Sequence, residues 1–67
     1  MLTVNGKSCE YRGGQTLKEY LLALGHNTDC IAVECNQEII PKREYEQYIL
    51  KDGDVLEIVS YMGGGQF

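Results

Sequence analysis

The alternation of apolar and polar residues predicts two strands at the start of the chain. The segments LTV at residues 2–4 and SCEY at residues 8–11 flank Asn5-Gly6. Asn-Gly is a strong hairpin signal, because both residues tolerate the positive φ angles of a two-residue turn. We therefore expect the chain to open with a β-hairpin.

A helix is predicted after the hairpin. Thr16 precedes Glu19 by three residues, the spacing of a capping box in which each side chain satisfies the other residue's free backbone N–H. Gly25 offers the left-handed residue that ends many helices. Helical spacing from residue 17 gathers one apolar face, which must be covered by a sheet: Leu17, Tyr20, Leu21 and Leu24.

Two short strands are predicted beyond the helix. The segment IAVE at residues 31–34 is typical of a buried strand, and EII at residues 38–40 of a short one. Asn36-Gln37 is expected to form the turn between them, and Pro41 to end their pairing.

The last strand is predicted to follow an irregular crossover. Residues 42–50 mix charged side chains with Tyr45, Tyr48, Ile49 and Leu50, and we expect the last apolar residues of this stretch to tuck under the sheet. KDGD at residues 51–54 predicts a turn, and VLEIVSY at residues 55–61 predicts a strand. Alternate residues of this strand should face the helix or point away from it: Leu56 and Ile58 on one face, and Val55, Glu57 and Val59 on the other.

The order of these elements predicts an α+β fold of the β-grasp (ubiquitin-like) type, a mixed sheet with one helix packed across it. The long crossover allows the last strand to lie parallel beside the first, at the centre of the sheet. Residues 1–62 would form the domain, and residues 63–67 a flexible glycine-rich tail. From Met62 onward, six residues could reach about 20 Å.

Length and charge restrict the classes of function. A chain of 67 residues leaves little volume for a catalytic pocket of its own. Ten acidic residues against six basic ones argue against a nucleic acid ligand and favour basic protein partners. The longest apolar run, YLLAL at residues 20–24, is too short for a signal-peptide core or a membrane span. We therefore expect a cytoplasmic module that acts through partners, not an enzyme.

The cysteines do not predict a metal site or a disulfide framework. Cys9, Cys30 and Cys35 are an odd number without a Cys-x-x-Cys pair, and only His26 could join them as a soft ligand. We expect half-buried free thiols in a reducing cytosol. A redox pair of Cys30 and Cys35 would make the protein an enzyme, but it requires a closeness that the spacing does not indicate.

The segment SYMGGGQF at residues 60–67 carries the candidate chemistry. Three glycines without Cβ atoms could thread a narrow channel in a partner and present a main-chain carboxylate for adenylation. A phosphate-binding loop would need a following helix, for which two residues do not suffice. The alternative is a disordered tail without a role. Just ahead of the glycines, Tyr61 and Met62 are expected to form a patch that binds the activating enzyme.

Five segments, taken together in their order and spacing, resemble the ThiS-type sulfur carriers, small β-grasp proteins of thiamin biosynthesis. They are spread over the chain: VNGK at 4–7, TLKEYLLALG at 16–25, IAVECNQEIIPK at 31–42, LKDGDVLEIV at 50–59 and GGG at 63–65. The resemblance implies that a ThiF-like enzyme adenylates the terminal glycine with ATP. The resulting thiocarboxylate would deliver sulfur to a ThiG-like thiazole synthase. Gly65 would carry the sulfur and Gly63 and Gly64 would form the stem, with no bound cofactor, metal or catalytic residue in the carrier.

The chain departs from this family in two places. Family members normally end at the glycines, so we expect a protease to remove Gln66 and Phe67. A position in the crossover that is often tryptophan corresponds here to Tyr45.

Other functions remain open. A MoaD-like carrier for molybdopterin would share the fold and the chemistry, although such chains tend to be longer and to have a proline before the glycines. A carrier for an amino acid or a secondary metabolite fits equally well. The alternative from a different functional class is a ubiquitin-like interaction module, which only binds a partner and carries no sulfur.

Overall fold

The structure, a computed structural model, describes residues 1–60 and confirms the opening hairpin. Strands β1 (Leu2–Val4) and β2 (Lys7–Cys9) pair antiparallel. Asn5 and Gly6 form the turn with φ angles of 51° and 84°, as a two-residue hairpin loop requires. β2 therefore begins directly after the turn, one residue before the predicted segment 8–11, and it ends at Cys9.

Helix α1 (Leu17–Ala23) begins where the capping box predicts. The Thr16 hydroxyl accepts a hydrogen bond from the Glu19 N–H at 3.1 Å, and the Glu19 carboxylate accepts one from the Thr16 N–H at 3.0 Å. Gly25 has a φ of 87°, which confirms the left-handed residue predicted at the helix end.

The predicted apolar face of α1 is wrong at one position. Leu24 is 48% exposed, because it is the C-cap residue and lies beyond the last turn that packs on the sheet. The rest of the predicted face is buried: Leu17, Tyr20 and Leu21.

Strands β3 (Ile31–Cys35) and β4 (Glu38–Ile39) form a second hairpin. Asn36 and Gln37 make its turn with φ angles of 54° and 72°. The prediction of a buried strand holds for one face of β3 only, because its residues alternate between buried and exposed. The predicted strand at 38–40 is one residue shorter, since Ile40 turns into the core.

The crossover contains a short 3-10 helix (Lys42–Glu44) and leads to β5 (Val55–Ser60). Tyr45 and Leu50 are buried, as expected for apolar residues under the sheet. The prediction is wrong for Ile49, which is exposed and forms an isolated β-bridge with Thr16 at the start of α1.

The five strands form one mixed sheet in the order β2-β1-β5-β3-β4. β5 runs parallel to β1 and antiparallel to β3, which confirms the α+β, β-grasp prediction with the last strand beside the first. The helix covers one side, the inner face, and the core lies between them: Leu2, Leu17, Tyr20, Leu21, Ile31, Val33, Cys35, Ile40, Tyr45, Leu50, Leu56 and Ile58. The predicted domain boundary at 62 lies outside the described residues.

Asp54 is a buried carboxylate that the sequence analysis did not identify. It is 4% exposed and accepts hydrogen bonds from the Asn36 side-chain amide at 3.0 Å and the Lys51 N–H at 2.8 Å. The Asn36 side-chain oxygen also accepts from the Val55 N–H at 3.0 Å. These bonds join the β3–β4 turn to the predicted turn at 51–54 and fix the start of β5.

Two of the three cysteines are half-buried, as expected, and one is not. Cys9 and Cys30 are partly exposed, whereas Cys35 is buried. Cys35 lies on the inner face of β3, where the burial alternates, and it belongs to the core. Within residues 1–60, no helix has the length and apolar character that crossing a membrane requires.

Candidate functional site

The site begins at Ser60, the last residue of β5. Ser60 lies opposite Ile31, and β5 is held between β1 and β3, at the centre of the sheet. The glycines follow three residues later in the sequence. The predicted docking, stem and sulfur-carrying residues all lie outside the described part of the chain, and their roles stay predictions: Tyr61, Met62, Gly63, Gly64 and Gly65, together with the following Gln66 and Phe67.

Asn5 gives β5 a further anchor. Its side-chain oxygen accepts from the Ile58 N–H at 2.7 Å, and its side-chain amide donates to the Ile58 carbonyl at 3.2 Å. Its backbone N–H donates to the Leu56 carbonyl at 2.9 Å. The hairpin turn that the sequence predicts therefore also holds the strand from which the glycine segment continues.

The side of the sheet opposite α1 is exposed, and we call it the outer face. It is formed by alternate residues of the three strands β3, β4 and β5: Ala32, Glu34, Ile39, Val55, Glu57 and Val59. Val59 is 59% exposed and Ile39 is 73% exposed, so apolar area is open to solvent. Val59 lies opposite Ala32, one residue before Ser60. The outer face thus extends to the end of β5, three residues before Gly63 in the sequence.

Two carboxylates lie at the centre of the outer face. The β3–β5 register places Glu34 directly opposite Glu57, and Ile39 of β4 is the neighbour of Glu34 on the other side. In the region that the structure describes, neither glutamate forms an ion pair. The alternation in β5 predicted that Glu57 is exposed, but only the register identifies its neighbour.

Basic side chains gather on the helix side of the sheet. A groove of about 480 Å³ is lined by Lys18, Lys42 and Arg43. Lys18 pairs with Glu46 at 2.8 Å, and Lys42 pairs with Asp29. Hydrogen bonds from these lysines hold the pKa values of the Glu46 and Asp29 carboxyls below their usual range. The two lysines therefore already have partners away from the outer face.

The buried thiol is poorly suited to redox chemistry. Burial raises the pKa of the Cys35 thiol. The pKa of the Tyr48 phenol is raised to about 12, mainly by its hydrogen bond with Cys35 and to a lesser extent by burial. Cys30 directly precedes β3 and Cys35 ends it, so their Cα atoms are separated by about 16 Å of extended chain. A disulfide needs Cα atoms within about 7 Å, which argues against the Cys30–Cys35 redox pair. Among residues 1–60, no group of histidine, cysteine and acidic side chains could hold a metal ion.

Comparison with known proteins identifies the family. The pattern of the ThiS family matches residues 2–65. The chain is also 38% identical over 66 residues to the sulfur carrier protein ThiS of Bacillus subtilis, covering 97% of this chain and 100% of that protein. The chain belongs to the ThiS family. The family match ends at Gly65, so Gln66 and Phe67 lie beyond it.

Two further similarities extend the comparison. The crystal structure of the thiamine biosynthesis protein ThiS from Geobacter metallireducens has a TM-score of 0.78 and 34% identity, covering 96% of this ThiS-family chain and 97% of the other. A thiazole synthase of Paramagnetospirillum magneticum is 42% identical over 64 residues. The ThiS-family chain spans only 20% of the length of that synthase.

Proposed function

We propose that this protein is a sulfur carrier of thiamin biosynthesis that transports sulfur as a thiocarboxylate on Gly65. The observation that carries the proposal is the match to the ThiS family over residues 2–65, which ends at the third glycine. Similarity over 96% of the chain to the thiamine biosynthesis protein ThiS from Geobacter metallireducens favours this pathway over molybdopterin. Since the sulfur would sit on a main-chain carbon, the carrier needs no acid, base, metal or reactive thiol of its own.

Adenylation would require a free carboxylate on Gly65. A Gly65 carboxylate would attack the α-phosphate of ATP in a ThiF-like enzyme, forming an acyl-adenylate and releasing pyrophosphate. Hydrosulfide would then attack the acyl carbon, forming the C–S bond and releasing AMP, and would leave the thiocarboxylate. In this chain the carbonyl of Gly65 is in amide linkage to Gln66. Hydrolysis of that bond, by a trimming protease, would therefore precede activation.

The fold supports this role through the fixed end of β5, three residues before Gly63 in the sequence. β5 is held by β1, by β3 and by the Asn5 side chain, so the partner meets a rigid strand end at Ser60. Glycines without Cβ atoms then suit a narrow channel, where a displacement of even about 1 Å can cost a factor of about 100 in rate. Tyr61 and Met62, together with Val59, would provide apolar contacts beside the channel.

A ThiG-like thiazole synthase is the proposed acceptor of the sulfur. In the Paramagnetospirillum magneticum thiazole synthase, a stretch resembling this chain is part of the same polypeptide. Such a connection is useful only if the two parts act on each other, because it raises their effective concentration. The activating partner would consume ATP, and we place the reaction in the cytoplasm.

Intact-mass measurement tests the proposal. The full chain and a form ending at Gly65 are incubated with the ThiF-like enzyme, ATP and a sulfur donor. We expect only the shortened form to exchange one oxygen for sulfur. The matched control is the shortened form with Gly65→Ala, which keeps the carboxylate but adds a Cβ atom, and we expect it to load more slowly.

Two outcomes would contradict the proposal. Sulfur gained by the full chain at the same rate, with Gln66 and Phe67 still attached, would refute the trimming step. A shortened form that folds but is never loaded would refute the carrier role itself. The docking role of Met62 is tested separately with Met62→Asp, since unchanged affinity for the activating enzyme in a folded variant would exclude it.

A further inference from the structure

The outer face combines exposed apolar area with a pair of like charges. Glu34 and Glu57 are directly opposite each other on neighbouring strands, where Cβ atoms are separated by about 4.5–5.5 Å. Two like charges at this separation destabilise a sheet. A domain this small has little stability to spare, so the pair is better explained by a role outside the folding of the chain.

Within residues 1–60, neither carboxylate forms an ion pair. The three cations of the basic groove lie on the helix side, and the residues that the register places on the outer face between β1 and β4 include no lysine or arginine. Apolar side chains frame the pair instead: Val59 and Ala32 towards Ser60, and Val55 and Ile39 on the other sides.

We propose that the outer face docks on a thiazole synthase surface that inserts one cationic side chain, an arginine or a lysine, between Glu34 and Glu57. The proposal rests on the proposed function and specifies its partner surface. Around the cation, the synthase would present apolar side chains that cover Val59 and Ile39. Continuity of this face with Ser60 means that the same docking would direct the glycine segment towards the synthase.

Physical reasons favour a cation over other groups. A guanidinium can donate to both carboxylates at once, and such charge-assisted hydrogen bonds are about twice as strong as neutral ones. Apolar contacts around the cation would exclude water and strengthen its attraction to the carboxylates. Bringing an anionic or purely apolar surface against the pair would leave two buried charges without a partner, which is strongly unfavourable.

Isothermal titration calorimetry with the full chain and the synthase tests this surface. The variant Glu34→Gln with Glu57→Gln removes both charges and keeps the side-chain shapes. The control is Glu10→Gln with Glu44→Gln, which changes the net charge equally at exposed positions outside the outer face. We expect the outer-face variant to bind at least about tenfold more weakly and with a smaller dependence on salt, whereas the control binds within about twofold of wild type.

Thermal unfolding of the same variants supplies a second readout. Removing the repulsion between Glu34 and Glu57 should leave the melting temperature unchanged or raise it, so binding is expected to weaken without a loss of stability. A role in folding alone would lower the melting temperature and leave the affinity of the folded fraction unaltered, which would overturn the proposal.

The remaining outcomes are also decisive. Equal affinities of the outer-face variant and the control would overturn the proposal, and so would an effect confined to binding of the adenylating enzyme. Sulfur loading of the Gly65-terminated form is measured independently. If loading succeeds while the glutamate substitutions have no effect, the carrier role stands and only this docking surface is wrong.

Discussion

The two faces of the sheet are built by alternate residues of the same strands, yet they differ in burial and in charge. In β5, Leu56 and Ile58 are buried beneath the helix, while Glu57 and Val59 are exposed on the outer face. Substitutions of exposed residues usually change stability little, whereas those of buried residues are costly. The inner face therefore determines whether the chain folds, and the outer face is free to specify a partner.

The largest expected effect is on the inner face. Leu56 is completely buried, so Leu56→Ala should lower the free energy of unfolding by about 2–5 kcal/mol through lost apolar contacts and a residual cavity. Urea denaturation followed by circular dichroism measures this change. The matched control is Val59→Ala on the same strand, with an expected effect below about 0.5 kcal/mol. Similar losses for both variants would contradict the difference between the faces.

A smaller loss is expected at the start of β5. Asp54→Ala leaves the Asn36 amide and the Lys51 N–H without their acceptor, which should cost about 1–3 kcal/mol. Asp52→Ala, two residues earlier in an exposed position, is the control. The same denaturation experiment applies, and a loss for Asp52 as large as that for Asp54 would show that the buried bonds are not the cause.

Helix α1, which covers the inner face, depends on its N-cap residue, Thr16. Thr16→Ala removes the side-chain acceptor of the Glu19 N–H and should destabilise the fold by about 1 kcal/mol. Thr16→Ser keeps the hydroxyl and should retain most of the stability. If serine and alanine were equally destabilising, the methyl group of Thr16 would be the important contact, not its hydroxyl.

The smallest effect on stability at neutral pH is expected from two protonated side chains on the inner side of the sheet, Tyr48 and Cys35. The pKa of Tyr48 is raised to about 12 from an ordinary value of about 10, and burial raises that of Cys35 from about 8.5. A raised pKa contributes stability that is fully present below the unfolded-state pKa and lost as the pH rises through the folded-state pKa. Stability should therefore fall from about pH 8.5 towards pH 12.

Tyr48→Phe isolates the contribution of the phenol. The variant should lose less stability than wild type between pH 9 and 12, as measured by urea denaturation at a series of pH values. An identical decline in both proteins would assign the alkaline loss to other groups.

Local patterns in the sequence predicted much of this fold. The Asn5-Gly6 turn, the capping box of Thr16 and Glu19 and the left-handed Gly25 were all confirmed. Each depends on the φ preferences and hydrogen bonds of residues within a few positions of one another, so the information is local. The burial of alternate residues in β5 was predicted for the same reason, because a strand has a period of two.

Tertiary structure alone decided which distant residues meet. The order β2-β1-β5-β3-β4 and its register place Glu34 against Glu57, and they bring Asn36 to the buried Asp54. Leu24 had the right helical spacing for the core and is exposed, since it is the C-cap residue and lies beyond the last turn that packs on the sheet. Register depends on the pairing of strands that are far apart in the chain, and a shift of one residue would exchange the two faces. The sequence by itself thus determined the elements and the family, whereas the composition of the outer face was decided by how those elements pair.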